Sequence, residues 1–423
     1  MIIQFSVRNF RTFKEKATLS LIASNYDKET REKENISDAN IYNLRILKSA
    51  VIYGANASGK SKFIEALMFM KHFAITSSKE SQKGAKIPVE PFKLSAESEN
   101  EPSEFEVIFT YKKVMYRYGF EVDKNRVVSE WFFHKPKTKE VELFYRELQN
   151  FKIHPRSFQK GAIGVKEGLV RDNALLLSLA AQLNDSTAIN VIDWFSELNV
   201  ISGLKENEFS ENSITKVKTE NGKNRILDFL KKADLGIVDL DFLEINSGQF
   251  KENPFSVILT KRNKFDRMIK IGQSSFFLNM DESEGTKKYF YLLGPVIDAI
   301  EKGSAIVIDQ LDSKLHPNLV EKIVLLFNRK ELNPKNAQLI FNTHDTNLLS
   351  SGLFRKDQVW FTEKDKFGEA RLYSLADFKS DEVRKNEAFE DNYIRGKYGA
   401  VPFLGFFDNL IHENLLPQDE NEK

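Results

Sequence analysis

Gly54-Ala55-Asn56-Ala57-Ser58-Gly59-Lys60-Ser61 fits the pattern GxxxxGK(S/T), and the residues on either side dictate the structure it must adopt. Ser49-Ala50-Val51-Ile52-Tyr53 ahead of it is short, apolar and rich in strand formers, while Phe63, Leu67 and Met70 behind it recur at helical spacing. A buried strand therefore turns through glycine into a helix. In that geometry successive backbone N–H groups point into the turn, with the positive end of the helix dipole behind them, and together they cradle phosphate. Gly54 and Gly59 belong to the cradle because a Cβ would hold the backbone away from its ligand. Asn56, Ser58 and Lys62 complete the candidate contacts. Lys60 is expected to reach the β- and γ-phosphates of a nucleoside triphosphate, and Ser61 to offer its hydroxyl to Mg²⁺.

With 423 residues, 41% of them hydrophobic, the chain can bury one large core or two moderate ones. No apolar run approaches the roughly 18 residues needed to span a bilayer. Met1-Ile2-Ile3-Gln4-Phe5 reads as a strand without a signal peptide's charge order, so the expected setting is the cytoplasm, with no membrane partner. A count of Cys 0 excludes a disulfide framework and a thiolate zinc site. The 62 basic and 61 acidic residues leave a net charge of +1, so any contact with DNA would need a local patch. Lys135, Lys137, Lys139, Arg146, Lys152 and Arg156, among Trp131, Phe132, Phe133 and Phe144, are read either as such a patch or as a solvated sheet face.

Along the chain, Ile2 to Phe13 alternates like a strand and turn and carries Arg11, and Lys28 to Asn40 reads as an exposed loop or short helix. Phe105-Val107-Phe109-Tyr111, Val114-Tyr116-Tyr118-Phe120 and Val127-Ser129-Trp131-Phe133 repeat with period two, which predicts an antiparallel sheet reversed at Lys112-Lys113 and Asp123-Lys124-Asn125. From Asp172 to about Leu235 the pattern is mainly helical. Ala305-Ile306-Val307-Ile308 and Gln338-Leu339-Ile340-Phe341 are continuous apolar strands, separated by a helix with Leu319, Ile323 and Leu326 or Phe327 inward. The fold class that follows is α/β: a P-loop sheet covered by helices, with an antiparallel β lobe and a helical insert. Residues 1–150 read as the lobe with the phosphate loop and antiparallel sheet, 151–260 as the insert, and 261–423 as the remaining lobe.

The second constellation is Asp309-Gln310-Leu311-Asp312-Ser313-Lys314-Leu315-His316-Pro317, directly after the apolar run Ala305 to Ile308. A carboxylate at the end of a buried strand beside the phosphate loop can hold a metal-bound water that bridges the phosphates, which makes Asp309 the second Mg²⁺ anchor. Asp281-Glu282-Ser283-Glu284-Gly285-Thr286-Lys287 precedes it, and Phe341-Asn342-Thr343-His344-Asp345 follows the next strand. In this order the motifs resemble ABC-type ATPases of the SMC, RecF and OLD group.

The resemblance implies that two such heads sandwich ATP, so the first partner is a second copy, in a dimer or higher oligomer. Ser283 and Gly285 would then bind the γ-phosphate across the interface, Asp312 would monitor that contact, and His344 would hydrogen-bond the γ-phosphate or the attacking water. Arg11 would also reach phosphate. Where the group carries a catalytic glutamate this chain has Gln310, whose amide can orient water but cannot accept its proton. Nucleotide binding and dimer closure should survive, with hydrolysis slowed by about 10²- to 10⁴-fold. A substitution introduced to trap ATP and a naturally slow switch both account for that residue.

Leu175-Leu176-Leu177-Ser178-Leu179 and Arg395-Gly396-Lys397-Tyr398-Gly399-Ala400-Val401-Pro402 extend the resemblance to ATPase subunits of bacterial anti-phage and abortive-infection operons. That narrower likeness implies a sensor or scaffold that controls a separately encoded effector, often a nuclease. A RecF/SMC-like DNA-binding repair ATPase is the alternative. Chemically, Arg395 to Pro402 reads either as a plain loop or as a partner or phosphate contact.

Overall fold

A computed structural model describes residues 1–39, 42–80, 82–154, 156–205, 209–245, 255–379 and 387–402. The chain opens with β1 (Ile2–Arg8) and β2 (Ala17–Ser20), a single turn α1 (Glu32–Asn35), and β3 (Ser49–Gly54), which enters α2 (Lys60–Thr76) through the glycine loop. Then come β4 (Ser103–Tyr111), β5 (Val114–Val122), β6 (Val127–Lys135), β7 (Val141–Glu147) and β8 (Asn150–Ile153). Next are α3 (Gln159–Lys166), α4 (Leu176–Gln182), α5 (Ser186–Glu197), β9 (Asn199–Ser202), α6 (Ser210–Val217) and α7 (Glu220–Lys232). Three strands, β10 (Asp239–Ile245), β11 (Phe255–Asp266) and β12 (Ile269–Phe277), lead into α8 (Leu278–Asp281) and α9 (Glu284–Lys302). The last stretch is β13 (Ala305–Asp309), α10 (Pro317–Asn328), β14 (Gln338–Asn342), α11 (Asn347–Ser350), β15 (Val359–Lys364), β16 (Ala370–Ser374) and α12 (Phe389–Ile394).

The strands form three sheets. The period-two runs build an antiparallel sheet of order β2-β1-β4-β5-β6-β7-β8, and β10-β11-β12 make a small antiparallel sheet of their own. The third sheet, of order β16-β15-β3-β14-β13-β9, is parallel except for β16. Lys112 and Lys113 reverse the β4–β5 hairpin with φ of 48° and 65°, the left-handed pair a two-residue turn requires, although neither is glycine.

The parallel strands are apolar on both faces because each face meets its own core. In β3, Ala50 and Ile52 point into one cluster with α2 and the antiparallel sheet, and Val51 and Tyr53 into the other with α9 and α10. Ala305 and Val307 of β13 alternate with Ile306 and Ile308 in the same way. The helix between β13 and β14 buries Val320, Ile323, Val324 and Phe327, whereas Leu319 and Leu326 are only partly covered. Ile323 and Phe327 thus face inward as the sequence pattern predicts, while Val320 takes the place expected for Leu319.

Two further features differ from that reading. Within the stretch read as helical, β9 pairs in parallel with β13 and extends the nucleotide sheet. Its four residues give too short an apolar run for periodicity to register. Arg146 is not part of a basic surface: its side chain is 0% exposed and pairs with Glu130, also 0% exposed, at 3.6 Å. Arg146 donates to the carbonyls of Leu148 at 2.7 Å and Ala174 at 2.6 Å, while Glu130 accepts from the amides of Leu176 and Leu177 at the start of α4. Phe132 and Phe144 are core residues, whereas Lys137, Lys139, Lys152 and Arg156 are exposed, Lys152 in a pair with Glu142. No described helix is long and apolar enough to cross a membrane.

The buried pair ties the antiparallel sheet to α4, and removing one partner strands the other charge in the core. Glu130→Ala is therefore expected to lower the unfolding free energy by about 3–5 kcal/mol in urea titrations. A loss below about 1 kcal/mol would show that the pair contributes no more than a surface bridge.

Candidate active site

The glycine loop lies at the C-terminal end of β3, and backbone conformation explains its composition. Gly54 has φ 153° and Gly59 φ 116°, and Ala57 accepts φ 61° between them. A Cβ on Gly54 would sit 2.5 Å from Ser58 Oγ and 2.6 Å from Thr362 Oγ1 on the neighbouring strand β15. On Gly59 it would approach Ala370 Cβ to 3.0 Å and both Phe13 Cζ and Thr12 Oγ1 to 3.2 Å. A side chain at either glycine is therefore excluded, by Ser58 and Thr362 at Gly54 and by Ala370, Phe13 and Thr12 at Gly59.

Ser58 braces the loop through a 2.6 Å hydrogen bond between its hydroxyl and that of Thr362, and Asn56 stands exposed at the tip. Gly59 caps α2 without a side chain, so the amides of the first turn have no side-chain acceptor. Lys60 is buried and folds back on the loop, donating to the carbonyls of Gly54 at 2.7 Å and Ala55 at 2.9 Å. Burial lowers its pKa to about 8 against the opposing pull of Asp309 and Asp312.

Sheet order brings the second motif alongside, because β14 lies between β3 and β13. Asp309 ends β13, and its Oδ1 accepts from Asn342 Nδ2 at 2.5 Å. The same Asn342 side chain accepts from the Gln310 amide through Oδ1. Gln310 itself sits at φ 55°, in the left-handed region that a non-glycine residue occupies only when its surroundings enforce it. Asp312 accepts from the His344 amide at 3.0 Å through Oδ2, while its Oδ1 is buried with no hydrogen-bond partner. Partial burial, then the Lys60 ammonium, hold the His344 imidazole below its usual range against Asp312 and Asp309, so the four groups share one electrostatic neighbourhood.

Ser283 caps α9, its Oγ accepting from the Thr286 amide at 3.2 Å. Gly285 lies against the loop after β13: a Cβ there would be 2.8 Å from the Lys314 carbonyl. Glu284 bridges Lys287 at 3.0 Å and Lys314 at 2.8 Å, and these cations hold its carboxyl at about 2. The two segments therefore touch within one chain. Arg11, at φ 52°, is engaged by Glu65 of α2 and by Glu90 at 3.4 Å, and Lys62 shares Glu65 at 2.8 Å. Both cations flank the first turns of α2.

The donor set fits a magnesium nucleotide. Ser61 and Asp309 offer one hydroxyl and one carboxylate oxygen, hard donors that suit Mg²⁺ when phosphate and water oxygens complete the shell. Among the described residues no group of three or more His, Asp or Glu forms a cage by itself. The loop amides and Lys60 supply the positive lining for phosphate, and the orphaned Asp312 Oδ1 is an acceptor for a donor that the chain itself does not provide.

Sequence reasoning passed over four supporting residues. Asn342 stands two places before His344, yet its type alone did not mark it as the clamp on Asp309 and Gln310. Lys288, buried in α9, donates to the Gln310 carbonyl at 3.1 Å and the Ser313 carbonyl at 2.5 Å. Thr362 is remote in sequence from Ser58 and meets it only through the pairing of β15 with β3. Tyr393 of α12 lies against the Gly54 amide and donates to the Ala400 carbonyl at 3.1 Å. The Arg395 to Pro402 phrase is thereby a packed turn, with Tyr398 buried on Phe361.

A solved structure of similar shape is the SMC head domain from Thermotoga maritima, 12% identical, covering 88% of this chain and 98% of that chain at a TM-score of 0.42. No curated protein matches the chain. Residues 49–350 match the family described as "AAA domain, putative AbiEii toxin, Type IV TA system". That stretch is well over half of the chain and runs from the strand before the glycine loop past His344, so the chain belongs to this AAA family of P-loop ATPases.

Proposed function

We propose that this chain is an ATP-gated switch of a bacterial anti-phage defence system, a cytoplasmic head that pairs with a second copy around Mg²⁺-ATP and controls a separate effector. The observation that carries the reading is the convergence of Lys60, Asp309, Asp312 and His344 in one electrostatic neighbourhood, with the signature segment built against the loop holding Asp312. The orphaned oxygen of Asp312 and the capping serine at the head of α9 support a site completed by a partner. The abortive-infection wording of the family description supports the defence setting.

In this reading the loop amides and Lys60 bind the phosphates, Ser61 and Asp309 hold Mg²⁺, and His344 contacts the γ-phosphate or the attacking water. Arg11 and Lys62 exchange Glu65 for phosphate when nucleotide enters. Gln310 orients water without accepting its proton, so ATP persists between the heads and the paired state is long-lived.

Three measurements test this. In sedimentation with Mg²⁺-ATP the chain is expected to double its mass or more, and a chain that stays single at saturating nucleotide refutes the paired state. Gln310→Glu is expected to raise ATP turnover about tenfold or more, and equal rates would remove residue 310 from the reaction. Lys60 must carry its proton to hold phosphate, and its pKa near 8 in the free chain means that binding above that pH must first restore the proton. Mg²⁺-ATP affinity should therefore weaken about tenfold from pH 7 to pH 9, with proton uptake visible in calorimetry; a flat profile contradicts the buried ammonium.

A further inference from the structure

The backbone of residue 310 is held from two sides. Asn342 Oδ1 of β14 takes its N–H, and Lys288 Nζ of α9 takes its carbonyl at 3.1 Å. Lys288 also reaches the Ser313 carbonyl at 2.5 Å and is 0% exposed. A buried ammonium is retained only where oxygen atoms replace its water, and these carbonyls do so. The chain makes room for the arrangement at Gly203, where a Cβ would collide with the Gln310 carbonyl and lie 2.7 Å from the Asp309 carbonyl and 3.0 Å from Lys288 Nζ. The Gly203 amide donates to the Asp309 carbonyl at 2.6 Å.

Lys288 stands on the helix that Ser283 caps. Pro295 in that helix has no N–H for the Tyr291 carbonyl, and Ser213 of α6 donates to it at 2.7 Å, so α9 remains a braced rod. A rod that carries the signature serine at its head and a cation on residue 310 within its second turn transmits displacement from one to the other.

We propose that Lys288 is a positioning residue through which the signature helix sets the conformation of residue 310. Nucleotide from the partner, bound at Ser283, would thereby tune the water-side residue of this chain's own site, coupling the two half-sites of a pair. The coupling rests on the function proposed above; the clamp itself rests on the hydrogen bonds alone.

Lys288→Met and Lys288→Arg test it, each alone and combined with Gln310→Glu. Without nucleotide, amide exchange in residues 309–314 should quicken about tenfold or more in Lys288→Met and stay near the parent rate in Lys288→Arg. With Gln310→Glu, Lys288→Met should lower turnover about tenfold and bring the Hill coefficient for ATP close to 1, leaving affinity for a fluorescent ATP analogue within about threefold. Unchanged exchange in Lys288→Met overturns the clamp. Turnover and affinity falling together would make Lys288 merely structural and overturn the coupling. Faster exchange in a chain that neither binds nor splits ATP upholds the clamp and rejects the ATPase reading instead. Should Lys288→Met not fold, Lys288→Gln, which keeps a polar head but is too short to span the Gln310 and Ser313 carbonyls, carries the same test.

Discussion

Three parallel strands, β3, β14 and β13, lie side by side and end at the same edge of the sheet, and the rest of the site depends on that alignment. Residues far apart in sequence, Lys60 and Asp309, thereby become neighbours whose charges influence one another. The alignment is enforced from both faces. Alternate side chains of each strand enter two separate cores, and a register slip of one residue would exchange the buried sets of both. Such a sheet is stiff where the chemistry sits, because neither face is free to relax into solvent.

Electrostatics at that edge is unbalanced without a ligand. Asp309 and Asp312 face one buried ammonium, which turns back to loop carbonyls, and one carboxylate oxygen stays without a donor. In the function proposed above, a magnesium nucleotide would relieve this imbalance: its phosphates would accept from the lysine and the first-turn amides, and Asp309 would hold its metal. Asn342 keeps the frame of that edge from collapsing, because it fixes Asp309 and the Gln310 backbone with one side chain.

What the sequence disclosed divides along a physical line. The glycine loop, its flanking strand and helix, the period-two sheet and the buried parallel strands were legible because each is set by local chemistry repeated over several residues. β9 was not, since a strand of four residues gains its identity from the neighbour it pairs with. Arg146 read as surface because charge in isolation favours water; only the fold supplies the buried Glu130 and the carbonyls that make its burial tolerable. Asn342, Lys288 and Thr362 act through tertiary contacts that no spacing encodes. In α10 Ile323 and Phe327 were legible as inward, but Leu319 stood in for Val320 because the two are equally apolar and packing alone chose between them.

In the proposed function, Gln310 would turn such a frame from turnover to persistence. A carboxylate in its place would stand beside Asp309 and Asp312, adding a third negative group to a loop whose nearby described cations are Lys60 and the carbonyl-bound Lys288. Like charges at that spacing raise the proton affinity of the newcomer, which is useful in a general base and unfavourable in a resting site. The amide retains size and hydrogen bonding while removing that repulsion, so the liganded state should form at least as readily and decay more slowly. Each factor of ten in lifetime corresponds to about 1.4 kcal/mol on the barrier to hydrolysis, well within what loss of one proton acceptor supplies. The left-handed backbone at this position follows the same logic. In the reading proposed above, a strained residue held by Asn342 on one side and Lys288 on the other would be displaced by small movements of either, which would open the slow step to control by the partner.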